Sequence, residues 1–225
     1  MYNGGEAMAR DAFHAQLDAL NRELQIMGLL VQQAISGAVT ALVTRNVPAA
    51  RVVVERDQDV NAACATIERM CLELIALQQP MAGDLRRITA ILKVITDLER
   101  MADHAVDIAK VVMRIGGAAP VKPLVDIPAM ATLTQEMVAE ALGAFVQRDT
   151  KRTLAMIARD DEVDRLHKAV ITDLTALMEK DSGTVAQGIQ LLFVSSALER
   201  IGDHATNLGE WLLYLETGEK KELNQ

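Results

Sequence analysis

An all-helical fold of two tandem three-helix bundles, six long helices in all, is predicted by three observations. Half of the 225 residues are hydrophobic, yet only 3% are aromatic, so the apolar content is Ala, Leu, Ile, Val and Met, mostly good helix formers. Five Pro and thirteen Gly are too few for the turns of a β-sandwich or barrel. An internal repeat of about 100 residues divides the chain.

The first helix begins near Ala9 and places Leu17, Leu20, Leu24, Met27, Val31, Ile35, Ala38 and Leu42 at helical spacing. Arg45-Asn46-Val47-Pro48 interrupts it, and Pro48 suits the opening of the second helix, which runs to about Gln78. Pro80 breaks that one. The third spans roughly Met81 to Ile115 and stops at Gly116-Gly117. Gly116, Gly117, Pro120 and Pro123 mark a linker. The fourth helix starts at Asp126 to Pro128 and ends near Gln147. Asp149 is placed to cap the fifth, which runs to about Lys180. Asp181-Ser182-Gly183 turns the chain into a sixth helix ending near Thr217. The first bundle is thus residues 1–116, the linker 117–126 and the second bundle 127–225.

The halves match residue by residue. Leu98-Glu99-Arg100-Met101-Ala102-Asp103-His104-Ala105 recurs as Leu198-Glu199-Arg200-Ile201-Gly202-Asp203-His204-Ala205, six of eight identical at an offset of 100. Arg56-Asp57-Gln58-Asp59-Val60-Asn61 recurs as Arg159-Asp160-Asp161-Glu162-Val163-Asp164 at an offset of 103, which Arg45 and Arg148 share.

Charge and composition exclude several functions. With 23 basic and 31 acidic residues the net charge is −8, the wrong balance for a nucleic-acid binder and one that anionic lipid repels. No apolar run reaches a membrane span, so no membrane insertion is expected. The start, MYNGGEAMARDAFHAQ, has no secretory h-region. Cys64 and Cys71 are about 10.5 Å apart along one helix, too far for a disulfide. A reduced, cytoplasmic protein is expected, with both thiols as small core residues.

Helical projection finds carboxylates on apolar stripes. Ile88, Leu92, Ile95, Ala102 and Val106 lie within about 60° of Glu99, with Asp103 about 40° and Asp107 about 80° round. Lys93, Asp97 and His104 point the other way. In the second half Glu199 and Asp203, with Asn207 third, share a stripe with Leu192, Ser195, Gly202, Thr206 and Leu213. Asp57 lies with Val53, Val60, Cys64 and Cys71, with Asn61 and Glu68 near by. Asp160 lies with Asp164, His167, Ile171 and Leu174. Each bundle therefore carries two acidic ladders directed at its interior. His104 and His204 read as surface or partner-facing residues. His167 reads equally as a satisfied core histidine or as a ligand.

Buried carboxylates must be paired, protonated or metal-bound. Carboxylates at i and i+4 are close enough to share a cation, and all-oxygen ligation favours Mg, Mn, Fe or Ca. Two alternatives stand beside a metal-binding protein. A non-heme di-metal carboxylate enzyme would need Glu-x-x-His, where this chain has Ala102 and Gly202. A metal-free structural bundle would pair the acids with Arg56, Arg100, Arg159 and Arg200. Nucleotide-binding, serine-hydrolase and structural zinc motifs are absent from the sequence.

The paired Leu-Glu-Arg-x-x-Asp-His-Ala, with Leu77-Gln78-Gln79-Pro80-Met81-Ala82-Gly83-Asp84-Leu85-Arg86 before its first copy, resembles the PhoU family from about Phe13 to Leu215. That family's Glu/Asp-x-x-x-Asp is matched by Glu99/Asp103 and Glu199/Asp203. The resemblance implies tandem three-helix bundles holding metal ions (Fe, Mn, Mg or Zn) on those motifs, in a non-catalytic cytoplasmic regulator of phosphate transport. Its implied partners are the ATPase component of the phosphate ABC transporter and the phosphate-sensing histidine kinase, which it represses when phosphate is plentiful; a homodimer is expected. Asn61 answers Asp164, Asn207 answers Asp107 and Cys64 answers His167, so the two sites are expected to differ.

Overall fold

The structure is a computed structural model that describes residues 4–219 and Leu223. Among the described residues six α-helices follow in order: α1 (Gly4–Thr44), α2 (Val47–Gln78), α3 (Ala82–Ile115), α4 (Asp126–Gln147), α5 (Thr150–Lys180) and α6 (Val185–Thr217), with a 3-10 turn at Ser182–Thr184. Helices α1–α3 pack on one another, and so do α4–α6; the two groups join through α3 against α6 and α1 against α4.

The repeat is visible in its turns. Arg45 and Arg148 both adopt a left-handed backbone, at φ 58° and 59°. In both, the next amide reaches back five residues, Asn46 to Ala41 O and Asp149 to Ala144 O, each at 2.9 Å. That ends the preceding helix, while the same Asn46 and Asp149 side chains accept from Ala49 N and Lys151 N to start the next.

The core runs through both bundles without a break. On α1, Leu17, Leu20, Leu24, Met27, Val31 and Ile35 are at most 1% exposed, each contributing about 1.5–3 kcal/mol of burial. This corrects the sequence expectation about membrane-length runs: Phe13–Thr44 is long and apolar enough by composition to cross a bilayer. Leu17, Leu20, Leu24, Met27, Val31 and Ile35, however, form a stripe that the other helices cover, as in a core helix, while Ile26, Leu29 and Val43 face outward. The bundles approach closely along α1. A Cβ on Gly28 would lie 2.1 Å from Leu142 Cδ2 of α4.

The linker is strapped down. Val121 N donates to Gln187 Oε1 at 2.5 Å, Gln187 Nε2 donates to Ala119 O at 3.1 Å, and Lys122 pairs with Asp173 at 2.6 Å.

Candidate functional site

The α3–α6 seam inverts part of the sequence expectation. Helix α3 packs on α1 and α2 and also on α6, so the side read as outward is the one the other bundle covers. His104 and His204, equivalent in the repeat, stack on each other with ring centroids 5.8 Å apart. Equivalent positions that touch place a local pseudo-two-fold axis between them. Both rings are half-buried, not surface residues. Asp97, expected to face solvent, has a side chain only 13% exposed. It accepts from His204 Nδ1 at 2.9 Å, Asn207 Nδ2 at 3.2 Å and Trp211 Nε1 at 3.0 Å. Asn207 is thus turned to the seam and not to the acidic ladder in which the projection placed it. Burial, then His204 and Arg200, hold His104 below its usual pKa against the opposing pull of Asp107 and Asp103.

The ladders themselves flank the core instead of entering it. In the first bundle Glu99 and Asp57 are half-buried, and Asn61, Asp103 and Asp107 are exposed. Asn61 Nδ2 donates to Asp57 Oδ2 at 3.0 Å. Asp103 pairs with Arg100 at 3.7 Å and Asp107 with Lys110 at 3.4 Å. Across from Glu99, burial first and then the charges of Glu99 and Glu68 push the Cys64 thiol up to about 11. Burial and Glu68 push Cys71 to about 12. Both thiols stay protonated at neutral pH, as small core residues should.

The second bundle gathers its acids more tightly. Asp160 is buried at 9% exposure, because Gly202 stands where the first bundle has Ala102. A Cβ there would lie 3.2 Å from Asp160 Oδ1. Burial raises the pKa of Glu199, with Asp164 and Asp160 adding to it and Arg200 opposing. Asp203 is raised by burial, Glu199 and Asp164, against His204 and Arg200. Four carboxylates from α5 and α6 therefore share one field. Ile171, expected on this stripe, is 41% exposed, while Leu174 is buried.

The arginines of the ion-pair alternative are largely engaged elsewhere. Arg159 binds Glu140 and, at 3.6 Å, Glu136 of α4, and Arg56 pairs with Asp59 at 3.4 Å. Arg100 reaches a ladder residue of its own bundle, in the open, and Arg200 acts on Glu199 and Asp203 without leaving either below its ordinary value. Among the described residues no three His, Cys, Asp or Glu side chains close around a single point. The donor chemistry of Asp160, Asp164, Glu199 and Asp203 nonetheless suits a divalent cation, which would relieve the repulsion that raises Glu199 and Asp203. The first bundle offers Glu99, Asp103 and Asp57 in a wetter setting. Beside Asp57 a cleft of about 400 Å³ opens between α1 and α2 over Ala34, Gly37, Ala41, Val52 and Val53.

Sequence reasoning missed Asp97, Trp211, Ser195 and Gly202 as organising residues. A signal for the first two existed: the repeat places Ala197 opposite Asp97 and Val111 opposite Trp211, a polar pair introduced on one side only.

A PhoU-domain family model matches residues 24–112 and again 127–212. The phosphate-specific transport system accessory protein PhoU homolog of Clostridium acetobutylicum is 38% identical over 218 residues, 96% of this chain and all of that protein. The similarly named protein of Zymomonas mobilis is 36% identical over 93% of this chain and 88% of its own length. The crystal structure of PhoU from Pseudomonas aeruginosa superposes with a TM-score of 0.87 at 33% identity, covering 92% of this chain and all of that one. The phosphate transport system regulatory protein PhoU from Streptococcus pneumoniae gives 0.86 at 30% identity, covering 94% of this chain and all of that one.

Proposed function

The chain belongs to the PhoU domain family, and from that premise we propose that it is a non-catalytic accessory protein of phosphate-specific transport that binds divalent cations and represses the phosphate-starvation response. In this reading it works in the cytoplasm as a homodimer, between the ATPase component of the phosphate transporter and the phosphate-sensing histidine kinase. The metal ligands are Glu99, Asp103, Asp107, Asp57 and Asn61 in the first bundle, and Glu199, Asp203, Asp160 and Asp164 in the second. The ion is Fe, Mn, Mg or Zn.

The observation that carries the reading is the duplicated carboxylate motif, Glu99/Asp103 on α3 and Glu199/Asp203 on α6, inside two matched PhoU domains. The crowding of Asp160, Asp164, Glu199 and Asp203 supports the cation part, because like charges held together at a half-buried site favour a shared counter-ion.

The test is genetic. A strain lacking this gene and any second family member should express phosphate-starvation genes in high phosphate, and the intact gene should restore repression. Normal repression in the deletion strain overturns the assignment. Restoration by a Glu99→Gln, Asp103→Asn, Glu199→Gln, Asp203→Asn variant that stays folded separates regulation from cation binding.

A further inference from the structure

The internal repeat supplies a template for the cleft between α1 and α2. At the offset of 103, α1 overlays α4 and α2 overlays α5, and buried positions coincide: Val31 with Thr134, Ile35 with Val138, Val60 with Val163 and Cys71 with Leu174. Four residues that line the cleft of about 400 Å³ are small where the second bundle is large. Ala34 answers Met137, Val53 answers Met156, Ala49 answers Arg152 and Gly37 answers Glu140. Met137 and Met156 are fully buried. Arg152 lies over Gly143, its Nη1 3.6 Å from where a Cβ would stand, and binds Gln147 Oε1 at 3.1 Å. The space that is open between α1 and α2 is therefore occupied between α4 and α5 by two thioether chains and an arginine stem.

Charge differs in the same place. Arg159 of α5 is held by two acids of α4, Glu140 through Nη1 and Glu136 through Nε at 3.6 Å. Its counterpart Arg56 lines the cleft, but α1 offers Gly37 and Gln33 at those two positions. Among the described residues Arg56 pairs with Asp59 alone, through Nε at 3.4 Å. A guanidinium carries five N–H donors in a fork that matches a carboxylate, so the terminal nitrogens of Arg56 are left for a ligand. Asp57 and Asp59 also line the cleft. They recur as Asp160 and Glu162, beside an arginine that nonetheless takes a carboxylate, so they do not bar one from Arg56.

We propose that this cleft binds a small amphipathic carboxylate, a free medium-chain fatty acid in chemical class. Its carboxylate lies on Arg56 beside Gly37, where the repeat has Glu140. Its alkyl tail covers Ala34, Val53 and Ala49, where the repeat has Met137, Met156 and Arg152. Arg56 and Ala49 are two helical turns apart, about 10.5 Å, which sets the length of the tail. The cleft reaches between the two helices to Val106 of α3, a slot for a single chain and not a trough for a helix. Its volume lies in the range of small-molecule sites, about 300–1,000 Å³. The proposal does not rest on cation binding.

The experiment titrates the full chain, stripped of metal with chelator, with octanoate and separately with octanol, by calorimetry. Octanoate should bind about tenfold or more tighter than octanol, and should shift the methyl resonances of Ala34, Ala41 and Val53. Arg56→Gln should weaken octanoate by about 10–100-fold and leave octanol unchanged. Ala34→Met restores the side chain of the second bundle, fills the slot and should weaken both.

Octanoate that leaves those methyl groups unshifted, or that binds Arg56→Gln as well as the parent, overturns the proposal. So does a change of sedimenting mass in Ala34→Met when octanoate does not bind the parent, because the cleft is then a contact between copies of the chain. Should Ala34→Met lose helical content by circular dichroism, Arg56→Gln decides, since its side chain is 60% exposed and its replacement removes no packing from the core.

Discussion

Asp97 of α3 and His204 of α6 join the two bundles, Nδ1 to Oδ1 at 2.9 Å, on a side of α3 that its own apolar stripe does not mark. The same carboxylate also accepts from Asn207 and Trp211. Removing it leaves three half-buried donors without their acceptor. Asp97→Ala should therefore cost about 2–4 kcal/mol, roughly 5–10 °C in Tm for a chain of this size. Trp211 is the only tryptophan, so its fluorescence reports directly on this seam. Asp59→Ala, on exposed α2 surface, should stay within about 0.5 kcal/mol. Equal effects of the two substitutions would mean that the seam hydrogen bonds contribute nothing net.

The helices and the repeat were legible because hydrophobic period and turn residues are local properties. Pro48, Asp149 and Gly116 stand where the structure begins or ends a helix. Faces were legible only in part. Projection assigns each helix one buried stripe, but α3 and α6 each have two, one for their own bundle and one for the other. Asp97, His104, His204 and Asn207 lie on the second stripe, which contains too many polar groups to register as apolar. Asp103 and Asp107 show the converse. They border the first stripe closely enough to read as interior, yet the core closes over Ala102, Ala105 and Val106 and leaves them outside.

The two His rings and the crowded acids pull the pH dependence of stability in opposite directions. Glu199 and Asp203 have raised values, so the folded state holds their protons more readily than the unfolded chain. Their repulsion is fully present at neutral pH and is relieved as pH falls through the raised values toward the ordinary 4.5 and 3.8. His104 and His167 are lowered, so stability is lost as pH falls through the ordinary 6.5 toward their folded values. In chelator, Glu199→Gln with Asp203→Asn should be more stable than the parent at pH 7, with the advantage shrinking as pH falls into the carboxylate range. Denaturant melts across that range check it, and an advantage that does not change with pH would remove the crowding argument.

Cation binding to the folded chain alone stabilises it by RT ln(1 + [L]/Kd), about 2.7 kcal/mol at a hundredfold excess over Kd. Stripping a loaded sample with chelator should then lower Tm by roughly 5–10 °C. Calorimetry on protein whose metal content is measured beforehand makes the comparison. Superimposable scans would show that any bound ion contributes nothing to the fold.

The two carboxylate motifs should not respond alike to neutralisation, and the difference has a direction. Glu199 and Asp203 share a field with Asp160 and Asp164, and Gly202 lets Asp160 approach. Glu99 and Asp103 stand in a wetter groove, with Arg100 already beside Asp103. A cation entering the second bundle relieves more repulsion, since Glu199 and Asp203 stay raised even with Arg200 opposing and Lys168 beside Asp164, so that bundle should hold its ion more tightly. At metal concentrations that fill one site per chain, Glu199→Gln with Asp203→Asn should remove most of the bound metal. Glu99→Gln with Asp103→Asn should remove little under the same conditions, its loss emerging only at higher metal. Asp59→Asn, outside both ladders, is the neutral control, a role Asp97 cannot serve because it organises the seam. Metal per chain is measured for each variant, with circular dichroism to confirm helical content. If the first-bundle double loses the larger share, crowding does not set affinity here. If both folded doubles keep full metal, the ion lies on other residues and the carboxylate ladders are purely electrostatic features of the surface.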